Sequence, residues 1–310
     1  EKRAEAEIQK SSHVSDFIIL DKASPHAAWK VSPNTRSNYA RAIILAILLP
    51  AILLFLIFIL DKRICNIKDL LSFTSLPFAG KIPHNKKKSQ FIVRDNPRSF
   101  PAQSFRLLRA NLPNNKKRQI ILVTSSVNDE GKSFISLNLA YSYAQTGKKV
   151  LLADFDFQHP SLSKLFNDQN ETGLIHTEYN NLDILLPGVT STSADEILQS
   201  DDFEELIKKL KKSYNYIIFD SSPLGLMADT IYLAKYADAS VFVVRHLHTP
   251  VPVMDSLLQN MLEKGKLPNP FLVYNDVKYR MPVTTQKYYG MIDKTSKVDQ
   301  VIERIKDQIA

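Results

Sequence analysis

The run Gly131-Lys132-Ser133 has the residue types that end a phosphate-binding loop. Backbone N–H groups in a tight loop, followed by a helix N-terminus, attract an anion. Lys132 would reach the terminal phosphates of a nucleotide, and the Ser133 hydroxyl would bind Mg²⁺. Ser126 stands where the first glycine of such a loop usually lies. The predicted nucleotide-binding residues are Asn128, Asp129, Glu130, Gly131, Lys132, Ser133 and Phe134.

Three aspartates follow apolar segments further along the chain. Asp154 and Asp156 lie in LLADFDFQHP, and Asp220 ends YIIFD. Carboxylates at the carboxyl ends of parallel strands face the ligand crevice, so we predict that Ser133, Asp154 and Asp220 surround the metal. A single aspartate after a strand can equally be a turn former or a helix cap, and the interpretation depends on all three features in this order. The predicted catalytic residues are Lys132, Asp154, Asp156 and Asp220.

Short apolar segments that alternate with amphipathic ones position these residues. Such alternation predicts an α/β domain with a parallel sheet covered by helices on both faces. The predicted strands are 119–124, 149–154, 182–186, 214–220, 240–245 and 271–275. The predicted helices are 133–145, 202–212, 229–236 and 253–264.

Composition limits the classes of protein. The chain has 310 residues, a formal charge of +8 and one cysteine, Cys65, which excludes an internal disulfide and a cysteine metal cluster. Basic residues such as the HNKKK run at 84–88 cluster beside an apolar segment, so anionic lipid is a simpler partner than nucleic acid.

The apolar segment 42–60 contains no charged residue over 19 positions. At 1.5 Å per residue it crosses most of a hydrocarbon core of about 30 Å, which predicts one transmembrane helix. A buried core helix and a cleaved signal peptide fit this segment less well. Lys62, Arg63 and Lys68 follow it closely, which favours a cytoplasmic location for the C-terminal side.

Several motifs, in the same order along the chain, resemble the bacterial tyrosine kinases (BY-kinases) that are fused to, or partnered with, polysaccharide co-polymerases of the Wzz type. The stretch SLNLAYSYAQTGKKVLLADFDFQHP resembles the Walker A′ region of that family, and YNYIIFDSSP resembles its Walker B motif. The segment QSFRLLRANL, with Arg106 and Arg109, resembles its oligomerisation helix. Residues 1–24 resemble the last periplasmic part of a co-polymerase, and residues 66–83 resemble the juxtamembrane connector.

The resemblance implies a P-loop fold of the deviant-Walker, MinD/ParA-like type preceded by one membrane helix. The expected parts are a periplasmic remnant at 1–41, the membrane helix at 42–60, a basic connector at 61–98 and a cytoplasmic kinase domain at 99–310. A first membrane helix and a periplasmic domain are expected before Glu1.

The resemblance also implies an activity at the bacterial inner membrane. The domain would transfer the γ-phosphate of MgATP to tyrosines, with Asp154 or Asp156 taking the phenol proton. Neighbours in a homo-oligomeric ring, contacting through Arg106 and Arg109, would phosphorylate one another and regulate capsule or exopolysaccharide polymerisation and export. The partners implied are that export machinery and a tyrosine phosphatase. The expected acceptors in the polar tail are Tyr279, Tyr288 and Tyr289.

Three positions depart from the family pattern: Asp129 in the loop, Gln158 in place of an arginine, and Gln103 in place of a glutamate. A carboxylate and a side chain at 129 would weaken ATP binding through strain and like-charge repulsion. We therefore expect nucleotide binding and activity, with the activity low. One alternative is a catalytically inactive scaffold that sets glycan length, and another is an ATPase that positions cell-division or plasmid machinery.

Overall fold

The computed structural model describes residue 7 and residues 34–60, 62–85, 89–114, 118–166, 173–179, 181–187, 194–225 and 228–278. Two compact units make up the chain, Glu1–Asp61 and Lys62–Ala310. The predicted acceptors Tyr279, Tyr288 and Tyr289 lie outside the described residues.

The first unit contains helix α1, Thr35–Leu60, with Pro50 inside it. The helix begins before the predicted segment 42–60 and includes all of it. Within its stretch Thr35–Leu56, an 18-residue window has a mean hydropathy of 2.4 and is 0% buried in the structure. A core helix of a soluble protein would bury such a surface, so α1 is a candidate membrane span by length, composition and exposure.

In its described residues, the second unit is built on one sheet of eight strands. The strands are β1 Phe78–Pro83, β2 Gln119–Ser125, β3 Val150–Phe155, β4 Gly173–His176, β5 Leu182–Leu186, β6 Tyr216–Ser221, β7 Ala239–Arg245 and β8 Pro270–Val277. The helices are α2 Ile67–Phe73, α3 Ile92–Asp95, α4 Phe100–Asn111, α5 Lys132–Ala144, α6 Ser161–Phe166, α7 Ala194–Leu198, α8 Asp201–Ser213, α9 Asp229–Ala234 and α10 Val251–Glu263.

The strand order is β1-β8-β7-β2-β6-β3-β5-β4. Every neighbouring pair is parallel except β4 with β5, which is antiparallel. The α/β fold predicted from the sequence is confirmed, and the sheet is mixed because of this one edge strand. β4 is only four residues long and partly exposed, so it lacks the apolar run by which the other strands were found.

Alternate residues of each central strand pack into hydrophobic clusters on opposite faces of the sheet. In β2, Ile121 and Val123 contact the cluster that includes α4 and α5. Ile120 and Leu122 contact the cluster that includes α8 and α10. Both faces are therefore covered, as expected for strands with continuous apolar sequences.

The segment 61–98, interpreted as a basic connector from the sequence, contributes buried residues and one strand to the second unit. β1 pairs with β8, and Ala79 and Ile82 are fully buried. Ile64 and Leu70 are fully buried on the opposite face. The strand was missed because FAGKIP includes a glycine, a lysine and a terminal proline, which are tolerated at a sheet edge but weaken the strand pattern.

Ile82→Ala tests whether β1 belongs to the folded unit. Removing three buried carbons from a packed edge should lower the free energy of unfolding by about 2–5 kcal/mol, measured by urea denaturation of the full chain in detergent. The matched control is Leu107→Ala, at a side chain 64% exposed, where a change within about 0.5 kcal/mol is expected. Equal, small effects at both positions would contradict the placement of β1 in the core.

Candidate functional site

The candidate site lies where β2, β3 and β6 end, at one edge of the sheet. These strands are parallel neighbours, so their carboxyl ends meet there. The loop 126–131 follows β2 and leads directly into α5. Asp154 and Asp220 are partners in the register of β3 and β6, which places the two carboxylates side by side beneath this loop.

Gly131 makes the turn from the loop into α5. It occupies the position before the first helical residue, with φ 89° and ψ 29°, in the left-handed region. A Cβ atom at this position would clash with the side-chain amide of Asn275, which would have to move. Both constraints require glycine, and the first N–H groups of α5 have no helical partner and are available for an anion.

Asp129, the most evident departure from the family pattern, adopts a left-handed conformation with φ 61°. Aspartate enters this region more readily than most residues. Its carbonyl oxygen accepts a hydrogen bond of 2.6 Å from Nη1 of Arg245. The strain expected at this position is therefore present, and a contact with β7 offsets it.

A cleft of about 500 Å³ opens beside the loop. Of the seven residues predicted to bind the nucleotide, six line it: Asn128, Asp129, Gly131, Lys132, Ser133 and Phe134. Asp156 also lines this cleft. The catalytic candidates Asp154 and Asp220 lie behind it, at 1% and 0% exposure.

Glu130 was predicted to contact the nucleotide, and the structure directs its side chain elsewhere. The side chain is fully buried and accepts hydrogen bonds from the backbone N–H groups of Ser126 and Val127, at 2.7 and 2.9 Å. The hydroxyl groups of Ser126 and Thr249 also donate to it. A buried carboxylate needs hydrogen-bond donors, and the loop and Thr249 supply them. A contact between the nucleotide and the backbone of Glu130 stays a prediction.

A second cleft of about 800 Å³ adjoins the first on the other side of the loop. Both are lined by Gln90, Asp129, Gly131 and Phe134, so they form one continuous surface around the loop. The second is also lined by residues that sequence reasoning missed: His84, Arg245, His248, Asn275 and Asp276. Arg245 ends β7, and Asn275 lies near the end of β8, so the rule that identified the aspartates could have identified these two.

Burial and neighbouring charges raise the pKa values of the two buried carboxyl groups. Burial raises the pKa of Asp154 to about 8, with a further contribution from the charge of Asp220. Burial also raises the pKa of Asp220 to about 6, although the nearby hydroxyls of Ser133 and Ser136 and the charge of Lys132 oppose that change. At least one of the two carboxyl groups therefore holds a proton near neutral pH.

The donor set fits a magnesium ion held together with a nucleotide. Asp220 Oδ1 accepts from Ser136 Oγ at 3.0 Å, whereas its buried Oδ2 has no hydrogen-bond partner among the described residues. In the same part of the chain, no group of three or more acidic, histidine or cysteine side chains is arranged to hold a metal by itself. Magnesium usually keeps water and phosphate oxygens as ligands, so Ser133, Asp220 and Asp154 once deprotonated would complete its coordination.

Asp156 is held in place by neighbours at the cleft wall. Its Oδ1 accepts from Ser222 Oγ at 2.9 Å and from the backbone N–H of His159 at 3.0 Å. Asp154 in turn accepts from the N–H groups of Asp156 and Ser163, at 3.1 and 3.4 Å. Of the two aspartates considered as proton acceptors, Asp156 is the one that lines the cleft.

The two arginines predicted to mediate oligomerisation both bond within their own chain. Arg106 donates to the carbonyl oxygen of Pro97. Arg109 donates to the carbonyl oxygen of Ser142 and, at 3.1 Å, to its hydroxyl. Contacts between copies at these positions stay a prediction.

Comparison with known proteins gives a consistent result. The model of the CobQ/CobB/MinD/ParA nucleotide binding domain matches residues 121–305. The chain is 30% identical over 200 residues to the tyrosine-protein kinase CpsD of Streptococcus pneumoniae, covering 58% of this chain and 85% of that protein. It is also 30% identical over 189 residues to the succinoglycan biosynthesis transport protein ExoP of Rhizobium meliloti, covering 54% of this chain but only 24% of that protein.

A solved structure is also similar to this chain. The chimerical protein CapA2B2 superposes with a TM-score of 0.63 at 28% sequence identity, covering 69% of this chain and 100% of that chain.

The protonation of Asp154 predicts how stability depends on pH when no nucleotide or metal is bound. The folded pKa is raised from the ordinary value of 3.8 to about 8, so the folded chain binds the proton more tightly than the unfolded chain. This contribution to stability is complete below pH 4 and is lost as pH rises towards 8, by up to about 1.4 kcal/mol per pH unit. Asp154→Asn should remove the loss, so its stability relative to the native chain should rise between pH 4 and 8.

Urea unfolding in EDTA across this pH range measures the effect. Parallel pH profiles for Asp154→Asn and the native chain would contradict the raised pKa.

Proposed function

Because the chain belongs to the CobQ/CobB/MinD/ParA nucleotide binding domain family, and within it to the tyrosine-protein kinases similar to CpsD, we propose that it transfers the γ-phosphate of ATP to protein tyrosines. The observation that carries the proposal is the left-handed Gly131 before α5, with Lys132 and Ser133 in the cleft and two buried aspartates beneath them. This arrangement combines an anion-binding loop with a metal-binding edge, the two requirements of phosphoryl transfer.

The loop and α5 supply the electrostatic part of catalysis. The N–H groups at the start of α5 bind phosphate oxygens, and Lys132, which is 6% exposed, places its cation at the cleft wall. A buried cation acts through a lower effective dielectric constant than an exposed one, so it offsets more of the charge on the transferring group. Mg²⁺, when bound, would neutralise further phosphate charge.

Asp156 is the proposed acceptor of the phenol proton. It lines the cleft, and its two hydrogen-bond donors fix its orientation before substrate enters. A positioned carboxylate can accept the proton as the tyrosine oxygen attacks phosphorus and the ADP oxygen leaves. Asp154 lies one layer deeper and would deprotonate when the metal binds.

The candidate membrane helix and the relatives also support a proposal for where the protein is located and which pathway it regulates. ExoP, by its name, serves succinoglycan biosynthesis and transport, and a candidate membrane helix precedes the kinase unit in this chain. We therefore assign the protein to the inner membrane of a bacterium, with the kinase unit cytoplasmic and the N-terminal side periplasmic. There it would form a homo-oligomeric ring, contact anionic lipids, be dephosphorylated by a tyrosine phosphatase and regulate the polymerisation and export of a polysaccharide.

Lys132→Met tests catalysis directly. The full chain in detergent is incubated with MgATP and probed for phosphotyrosine, and the variant should lose at least about 100-fold of the signal because the transferring phosphate loses its cation. Lys148→Met, at an exposed lysine, is the matched control and should retain the signal. An unphosphorylated native chain on which glycan length still depends would instead support the scaffold alternative.

The tail tyrosines provide a second test. Mass spectrometry of protein recovered from cells should find phosphate on one or more of Tyr279, Tyr288 and Tyr289. Replacement of all three by phenylalanine should remove most autophosphorylation while ATP hydrolysis persists, since the nucleotide site is unchanged. Phosphate found only on tyrosines elsewhere in the chain would contradict the assignment of the tail.

A further inference from the structure

Glu130 places a carboxylate inside a loop that is proposed to bind anions. Its side chain is fully buried, and the part of the chain that the structure describes contains no ion pair with it. Instead it accepts hydrogen bonds from two backbone N–H groups, at Ser126 and Val127, and from the hydroxyls of Ser126 and Thr249. A buried negative charge beside a phosphate site opposes anion binding by Coulomb repulsion alone, so its presence requires another reason.

Thr249 fixes one end of this arrangement. Its Oγ1 accepts a hydrogen bond of 2.8 Å from the backbone N–H of Arg245 and donates its single proton to Glu130. Thr249 is itself fully buried. The carboxylate is therefore attached to the loop on one side and to the segment after β7 on the other.

The same segment, together with β8, binds the carbonyl groups of the loop. His248 Nε2 lies 3.0 Å from the carbonyl oxygen of Asn128, and Arg245 Nη1 lies 2.6 Å from that of Asp129. Asn275 Nδ2 lies 2.9 Å from that of Glu130. Across each peptide bond the N–H points away from the C=O, so binding three successive carbonyls on one side directs the following N–H groups to the other side.

We infer that Glu130 and Thr249 are positioning residues that hold the phosphate loop in its anion-binding conformation before a nucleotide arrives. The inference deepens the proposed function and rests on it. Neither residue lines the clefts, so each acts through the loop backbone. A preformed loop avoids ordering on binding, and the affinity gained in this way exceeds the repulsion from the buried charge.

Glu130→Gln distinguishes charge repulsion from loop positioning, because the two predict opposite changes in the affinity for MgADP. Repulsion alone predicts that the neutral side chain binds MgADP more tightly. Positioning predicts weaker binding, by at least about fivefold, because the amide NH₂ would replace Oε1 and could no longer accept the protons of the Ser126 and Thr249 hydroxyls. MgADP affinity is measured by calorimetry on the full chain in detergent, and the melting temperature without nucleotide reports folding.

Thr249→Val and Thr249→Ser test the same contact where the glutamine variant fails to fold. The valine variant should bind MgADP at least about fivefold more weakly and raise the KM for ATP more than it changes kcat. The serine variant keeps the hydroxyl and should restore native affinity. The matched control is Thr177→Val, which removes a half-buried hydroxyl bonded to the carbonyl of Leu182 and should leave MgADP affinity unchanged.

The outcomes separate this inference from the kinase assignment. Native MgADP affinity in folded Thr249→Val, or tighter binding in Glu130→Gln, would overturn the positioning role whatever the kinase activity. Weakened binding in both variants, with a native chain that forms no phosphotyrosine, would uphold the positioning role and reject the kinase. A native chain that fails to bind MgADP would overturn both.

Discussion

Gly131 adopts a left-handed conformation at the end of the loop that joins β2 to α5, and the site depends on this conformation. It lets the chain reverse above the sheet within a few residues, so that α5 begins directly over the carboxyl ends of the strands. The close approach of Asn275 means that β8, far away in sequence, also constrains the same backbone. The backbone conformation of Gly131 is thus supported by a contact with a residue distant in sequence, Asn275. Such contacts help to make a short loop rigid enough to bind an anion.

The electrostatic balance beneath the loop follows from the register of the sheet. Parallel pairing of β3 with β6 places Asp154 next to Asp220 inside the protein, where two unscreened carboxylates would repel each other strongly. The nearby Lys132 and the hydroxyl of Ser136 compensate part of this charge, and a retained proton compensates more. Without a ligand the site therefore has more carboxylate than its neighbours can neutralise. A metal ion bound with its nucleotide can supply the missing positive charge as the proton leaves.

Much of this molecule could be predicted from its sequence. The central strands were found within one or two residues because continuous apolar segments are diagnostic of buried parallel strands, and the glycine, lysine and serine of the loop stood in the right context. The edge strands β1 and β4 were missed because a short or partly exposed strand has no such signal. Side-chain direction was the other limit, since spacing placed Glu130 in the loop but could not show that the loop folds around it.

The residues that approach the loop from β7 and β8 illustrate the same limit. Thr249 and His248 belong to a turn whose sequence carries no motif, and their relation to residues 128–130 exists only because β7 lies beside β2. Contacts separated by more than a hundred positions follow from strand order, which local patterns do not encode.

The carbonyl groups at the C-terminal end of α5, far from the loop, are all hydrogen-bonded. Three of its last four carbonyl groups accept hydrogen bonds from the N–H groups of residues 145–147, and the fourth, at Ser142, accepts from Arg109. Arg109 thus serves as a cap supplied by α4 to the helix that carries Lys132. Replacing Arg109 would fray that helix from its far end. If an Arg109 variant lost self-association, the loss would therefore reflect a destabilised protomer as well as any contact removed between copies.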